Sequence, residues 1–187
     1  MLVIEDSKIY GFQSGSARGV SFVPASGTTA QLHVVNTSVS QNGVGGTGGG
    51  IFVQGSGTGN ANFSIDRSHL MNNATGLVVL GIGNTGTARG TISNSTAVGS
   101  TNDGILVQTT TGPAFLMVEN TVASHNGTNG IQSNGAASQV LVSQATITGN
   151  TTGVLQASAG QMFTYQNNFI NGNTVTQGVP PGSLTPE

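Results

Sequence analysis

The sequence predicts an all-β fold, a single-stranded right-handed parallel β-helix solenoid of about seven rungs. Three observations carry this reading. A frame of alternating apolar residues, an amide and a glycine recurs along the whole 187-residue chain. The apolar runs are short, rich in Val and Ile, and alternate with a period of two. No copy carries an amphipathic helical pattern, which argues against helical repeats; the copies are also shorter than the roughly 40–45 residues of a four-stranded propeller blade.

The clearest copy is Gln139-Val-Leu-Val-Ser-Gln-Ala-Thr-Ile-Thr-Gly-Asn150, followed by Gly153-Val154-Leu155. Aligning the frame gives the anchors Ile4, Val34, Ile65, Ile92, Val118, Val142 and Tyr165, at spacings of 30, 31, 27, 26, 24 and 23 by subtraction. Two residues after each anchor stand Asp6, Asn36, Arg67, Asn94, Asn120, Gln144 and Asn167. Six residues further on stand Phe12, Asn42, Asn73, Ser100, Asn126, Asn150 and Asn173. A glycine then opens each second apolar run, from Gly19-Val20 through Gly153-Val154 and, weakly, Gly178-Val179. Amides stacked one rung apart donate and accept along the rod, and Asn tolerates turn backbone. Such ladders in a Ser/Thr-rich chain also create six N-x-S/T matches, at Asn36, Asn62, Asn73, Asn94, Asn126 and Asn150, without any need for glycosylation.

Composition narrows the function. Lys, Arg, Asp and Glu make up only 5% of the chain, against roughly a quarter in ordinary domains. Four scattered cations and a net charge of −2 do not neutralise a phosphate backbone, so nucleic acid is not an expected partner. No apolar stretch approaches the ~18 residues of a membrane span. The absence of Cys excludes disulfides and thiolate metal sites.

The repeat apolar-x-apolar-x-Asn-x-x-apolar-x-x-Asn…Gly-apolar resembles the right-handed β-helix, pectate-lyase-like superfamily. It is most similar to the small Gly/Asn-rich bacterial parallel β-helix repeat proteins, and the resemblance covers essentially the whole chain. It implies one β-helix domain over residues 1–187 and an extracellular or cell-envelope location. It does not decide activity, because lyases, hydrolases, epimerases and adhesins share the fold. The rung at Leu2 carries no polar cap, so an N-terminal cap is expected ahead of Met1. Residues 178–187, with two adjacent prolines, are expected to form a tail that stops pairing.

Chemistry, if present, is expected on the first three rungs, where Glu5, Lys8, His33, Asp66, Arg67 and His69 gather. Glu5, His33, Asp66 and His69 are the catalytic candidates, and Lys8 and Arg67 the carbohydrate-binding ones. The resemblance suggests Ca²⁺ held against a uronate, or acid and base carboxylates. The spacing argues against both, because Glu5 and Asp66 fall two rungs apart, about 9.5 Å at the usual strand spacing. No metal site is therefore expected, and no cofactor. His125 reads as a turn residue. Gly45–Gly50 lacks the Lys and helix of a phosphate loop and reads as a turn. Residues two after each glycine place Phe52, Val78 and Leu106 outward on successive rungs, an apolar stripe awaiting a partner or a covering segment.

The first expectation is thus a non-catalytic scaffold or carbohydrate-contacting module of a bacterial secreted or envelope protein, with polysaccharide as its partner. The alternative is a polysaccharide lyase or glycoside hydrolase acting on acidic glycans through the charged face. Self-association is expected through the first rung or through Phe52, Val78 and Leu106.

Overall fold

A computed structural model describes residues 1–45, 48–177 and 182–183. Every element among them is a strand. Rung one is β1 (Leu2–Glu5), β2 (Lys8–Tyr10) and β3 (Arg18–Phe22); rung two is β4 (Thr29–Val35), β5 (Ser38–Ser40) and β6 (Gly49–Gln54). Rung three is β7 (Asn60–Asp66), β8 (His69–Met71) and β9 (Leu77–Gly81); rung four is β10 (Ala88–Ser93), β11 (Thr96–Val98) and β12 (Ile105–Thr109). Rung five is β13 (Ala114–Glu119), β14 (Val122–Ser124) and β15 (Asn129–Asn134); rung six is β16 (Ser138–Ser143), β17 (Thr146–Thr148) and β18 (Thr152–Ala157). Rung seven is β19 (Gln161–Thr164), β20 (Phe169–Ile170) and β21 (Val175–Gln177), and β22 (Gly182–Ser183) follows it.

Like strands stack into three parallel sheets, called here A, B and C after the first, second and third strand of each rung. The chain is a parallel β-solenoid, as the repeat predicted. Inward residues form columns: Val34, Ile65, Ile92, Val118 and Val142 in sheet A, Val39, Leu70, Ala97, Ala123 and Ile147 in sheet B, and Ile51, Leu77, Ile105, Ile131 and Val154 in sheet C, all buried in one core. In the neighbouring inward column of sheet A, Leu32, Phe63, Leu116 and Val140, the place at Gly90 has no side chain. A Cβ there would lie 2.5 Å from Cγ and Cδ1 of Phe63, so the glycine makes room for the neighbouring ring.

Each passage from sheet A to sheet B turns on one residue in the left-handed region: Asp6, Asn36, Arg67, Asn94, Asn120, Gln144 and Gln166, with φ between 42° and 62°. This costs an ordinary L-residue about 1–2 kcal/mol, less for Asn and Asp, which explains the first amide column. That column is exposed. Asn36 donates to Asp6 Oδ1 at 2.6 Å, Asn94 to Asp66 Oδ1 at 2.8 Å, and Asn120 to Asn94 Oδ1 at 2.8 Å.

The second amide column is buried, and it accounts for the glycines. Asn42, Asn73, Asn126 and Asn150 are almost wholly enclosed. Each Oδ1 accepts from the backbone N–H of the rung before: Phe12 to Asn42, Asn42 to Asn73, Ser100 to Asn126, Asn126 to Asn150. A Cβ at Gly19, Gly50, Gly104 or Gly130 would lie 2.6–2.9 Å from the Nδ2 of Asn42, Asn73, Asn126 or Asn150. The glycine of one rung is therefore the space that the asparagine of the next rung fills. A third column went unread in the sequence. Thr37, Ser68 and Ser95 accept the backbone N–H of Ser7, Thr37 and Ser68, and their hydroxyls donate to a carbonyl two residues back.

Two expectations need correction. In rung seven Val142 pairs with Thr164, not Tyr165, and Gln166 rather than Asn167 takes the left-handed corner. The cause is one extra residue between Thr164 and Phe169, compared with Val142 and Thr146 on the rung before. The tail does not stop pairing throughout: Gly182 and Ser183 pair with Phe163 and Thr164. The other tail residues, including Gly178-Val179, lie outside the described residues, as do Gly46 and Thr47 of the glycine turn.

The Phe52 stripe is placed on the outer side of sheet C, as read, but it is not exposed. Phe52 and Val78 are 2% and 1% accessible and form a second small cluster with Leu80, packed by Ile82 and Leu106. The Arg18 guanidinium stands 3.2 Å over the Phe52 ring, and burial lowers its pKa.

Candidate ligand-contact face

The titratable residues of the first rungs divide across a corner. Glu5 and Asp66 lie in one outward column of sheet A, with Val35 between them. His33 lies in the adjacent outward column of the same sheet. Lys8 and His69 lie in register on sheet B, beyond the corner that Arg67 occupies. Strands two apart in a sheet are about 9.5 Å apart, so the two carboxylates do not share a water or an ion.

His33, His69 and Asp66 already have partners on a neighbouring rung. His33 Nδ1 shares a hydrogen bond of 2.7 Å with Ser64 Oγ, and His69 Nδ1 one of 3.0 Å with Thr96 Oγ1. Asp66 Oδ1 accepts from Ser93 and Asn94, and its Oδ2 stands 2.6 Å from Arg67 Nη1. The Asn94 bond above all holds the Asp66 carboxyl below its usual value; burial opposes it, and the Ser93 bond and the Arg67 charge and backbone add to the lowering. A carboxyl kept ionised in this way is unsuited to general-acid work.

A different arrangement lies lower on the same face. Ser64 and Thr91 are small, while His33 and Met117 stand on either side of them in the column. The result is a trough in two parts that share Arg89 and Gly90. One part, of about 280 Å³, is lined by Arg89, Thr91, Phe115, Met117, Gln139 and Leu141 with backbone between. The other, of about 290 Å³, is lined by Gln31, His33, Asn62, Phe63, Ser64 and Arg89. Arg89 comes from β10 and lies over the Phe115 ring of β13, its register partner, at 4.9 Å from the ring centre. Among the described residues it has neither a carboxylate partner nor a hydrogen bond, whereas Arg67 is paired with Asp66.

Arg89 and Phe115 escaped the sequence reading for a plain reason. They lie three before Ile92 and Val118, beyond the residues that flank each anchor. Strand parity places that position on the same outward face, so the signal was present in the next column along.

Two other features are structural in character. A polar corner of about 530 Å³ is lined by Ser26, Thr58, Asn84, Thr85 and Thr111. There Ser26 and Thr111 accept the backbone N–H groups of Thr58 and Asn84, and Thr85 donates to Gly57. Asp103, buried, accepts from Thr128 Oγ1 and from both the backbone and side chain of Asn129, fastening rung four to rung five. Soft or imidazole metal donors are dispersed: Met1 at the start of the chain, His33, Met117 and the buried Met162 on three different strands of sheet A, His69 and Met71 on sheet B, and His125 at a left-handed corner of rung five. No cluster of three or more His, Cys, Asp or Glu that could hold a metal exists among the described residues. No helix there is long and apolar enough to cross a membrane.

Comparison with known proteins gives one family. The family described as "Periplasmic copper-binding protein (NosD)" matches residues 9–181. Neither the curated proteins nor the solved structures contain a match.

Proposed function

The chain belongs to the NosD family, which matches it over nearly its whole length, and from this premise we propose that it acts in the cell envelope as a non-catalytic β-solenoid scaffold that contacts polysaccharide through the outer face of sheet A. The observation that carries the reading is the contrast on that face. The Asp66 carboxylate on that face is engaged by Ser93, Asn94 and Arg67, while the trough below presents Gln31, Asn62 and Gln139 beside Phe115, Met117 and Leu141. Amides and hydroxyls over an apolar floor suit sugar hydroxyls and pyranose C–H faces better than they suit bond cleavage.

The family description supports an envelope location. It also names copper, and this chain's donors do not fit that ion as a resident group. Copper sites are built from thiolate, thioether and imidazole converging on one point. Here Cys is absent, and the three histidines stand on rungs two, three and five, two of them bound to hydroxyls of the next rung.

The test is a panel of acidic and neutral polysaccharides, with and without Ca²⁺, scored for both binding and cleavage. The expected result is binding without cleavage. Release of reducing ends or unsaturated products would transfer the face to the lyase or hydrolase reading, and failure to bind any glycan would remove the contact role.

A further inference from the structure

We propose that the trough on sheet A binds a carboxylate-bearing glycan, with Arg89 as the residue that selects the acid. The inference rests on the reading of this face as a glycan contact and names its ligand class. Arg89 is the shared wall of both halves of the trough. No carboxylate lines either half, although the chain carries a net charge of −2. The electrostatic vacancy of the trough is therefore for an anion.

The form of the cation points to a planar anion. A guanidinium presents paired N–H donors that match a carboxylate in a bidentate fork. The Phe115 ring supports the Arg89 guanidinium from below at 4.9 Å, which orders it without using any of its donors. Arg89 is exposed, and its N–H groups have no acceptor among the described residues. The surroundings suit a sugar acid better than a bare ion. Met117 and Leu141 give an apolar floor in one half, and Gln31, His33, Asn62 and Ser64 give partners for sugar hydroxyls in the other. Gln31, Asn62, Arg89, Phe115 and Gln139 are in register on successive strands, at the usual spacing of about 4.8 Å. An extended oligosaccharide laid along this column meets a polar side chain or ring at every step.

The experiment is calorimetric titration of the whole chain with an oligouronide and with a neutral hexose oligosaccharide of the same length. The oligouronide is expected to bind more tightly. Arg89→Gln is expected to weaken oligouronide binding about tenfold or more, and Arg89→Lys to restore only part of it. Both variants should melt with the parent protein, since the side chain is exposed. Arg67→Gln, off the trough and already neutralised by Asp66, should bind like the parent. Equal affinity for the two oligosaccharides, or oligouronide binding indifferent to Arg89, overturns the acid selectivity while leaving glycan contact in place. No binding of either sugar overturns this inference together with the function it rests on.

Discussion

Asn126 donates twice to the Oδ1 of Asn150, once from its backbone N–H and once from its side-chain amide, both at 2.9 Å. The same side chain donates to Ala97 O on the far side at 3.1 Å, and Asn150 repeats the arrangement toward Ala123 O and Asn173. The ladder is interrupted once. Ser100 stands in the column, and its buried hydroxyl has no partner. Gly76, the glycine that would face a longer side chain there, is already a glycine, as Gly50 and Gly104 are for Asn73 and Asn126. Ser100→Asn is therefore expected to stabilise the fold by about 1 kcal/mol, the worth of a typical net hydrogen bond. Gly130→Ala is expected to cost about 1–3 kcal/mol, because its methyl would lie 2.9 Å from Asn150 Nδ2 and 2.6 Å from Ile147 Cγ2. Chemical denaturation of both variants checks the pairing of glycine with the next rung's asparagine; an unperturbed Gly130→Ala would refute it.

The two amide columns should respond differently to truncation. Asn126→Ala removes the acceptor of the Ser100 N–H and a donor to Ala97 O inside the core, each an unsatisfied group worth about 1–3 kcal/mol. Asn120→Ala loses an exposed bond to Asn94 and puts alanine at φ 42°, a cost of about 1–2 kcal/mol from backbone strain. Asn120→Gly should recover most of that second loss, and Asn126→Gly none of the first. Urea midpoints of the four variants provide the comparison.

The stability of the N-terminal rungs should depend on acid through Asp66. Its folded pKa lies below the ordinary value of 3.8. Its contribution is then fully present above that ordinary value and is lost as pH falls through the lower folded one. Thermal melting followed downward from about pH 5 should show a decline below about pH 4 that Asp66→Asn lacks. A decline of the same size in Asp66→Asn would assign the acid sensitivity to other groups.

Copper provides a fourth check. With the histidines dispersed over three rungs, competition against a chelating probe is expected to show no tight stoichiometric site for Cu(I) or Cu(II). Among the described residues, His69 and Met71 are two suitable donors placed as alternate residues on the outer side of β8. Tight binding abolished by His69→Ala and Met71→Ala together would overturn the expectation.

The fold was legible because a parallel solenoid writes its register into the sequence. A column such as Ile65, Ile92, Val118 and Val142 repeats side by side in space what it repeats along the chain. The single failure of register, at Tyr165, came where one residue is added between Thr164 and Phe169. The candidate site was less legible. The cluster of Glu5, Lys8, His33, Asp66, Arg67 and His69 is close in the repeat frame, but the corner at Arg67 turns His69 and Lys8 onto another sheet. Arg89 reads in the sequence as a lone cation; its setting, one column from small Thr91 and Ser64 and upon Phe115, exists only once strands are laid in register.

Phe52 tests the difference between an outward residue and an exposed one. Strand parity places it outward with Val78 and Leu106, and an exposed stripe of that kind would drive side-by-side association. Phe52 is instead 2% accessible, packed in the cluster with Val78 and Leu80 and covered on one side by Arg18. Phe52→Ser should therefore act on folding, not on assembly. Removing a buried ring costs about 3–5 kcal/mol, and the serine hydroxyl adds to that where it finds no partner. The exposed apolar groups of the first rung are Leu2, Val3, Tyr10 and Phe12. If copies associate end to end there, Tyr10→Ser should lower concentration-dependent light scattering and leave melting nearly unchanged. Phe52→Ser should lower the melting temperature markedly at every concentration. Unchanged melting of Phe52→Ser, accompanied by loss of association, would return the stripe to the surface and make it the contact between copies.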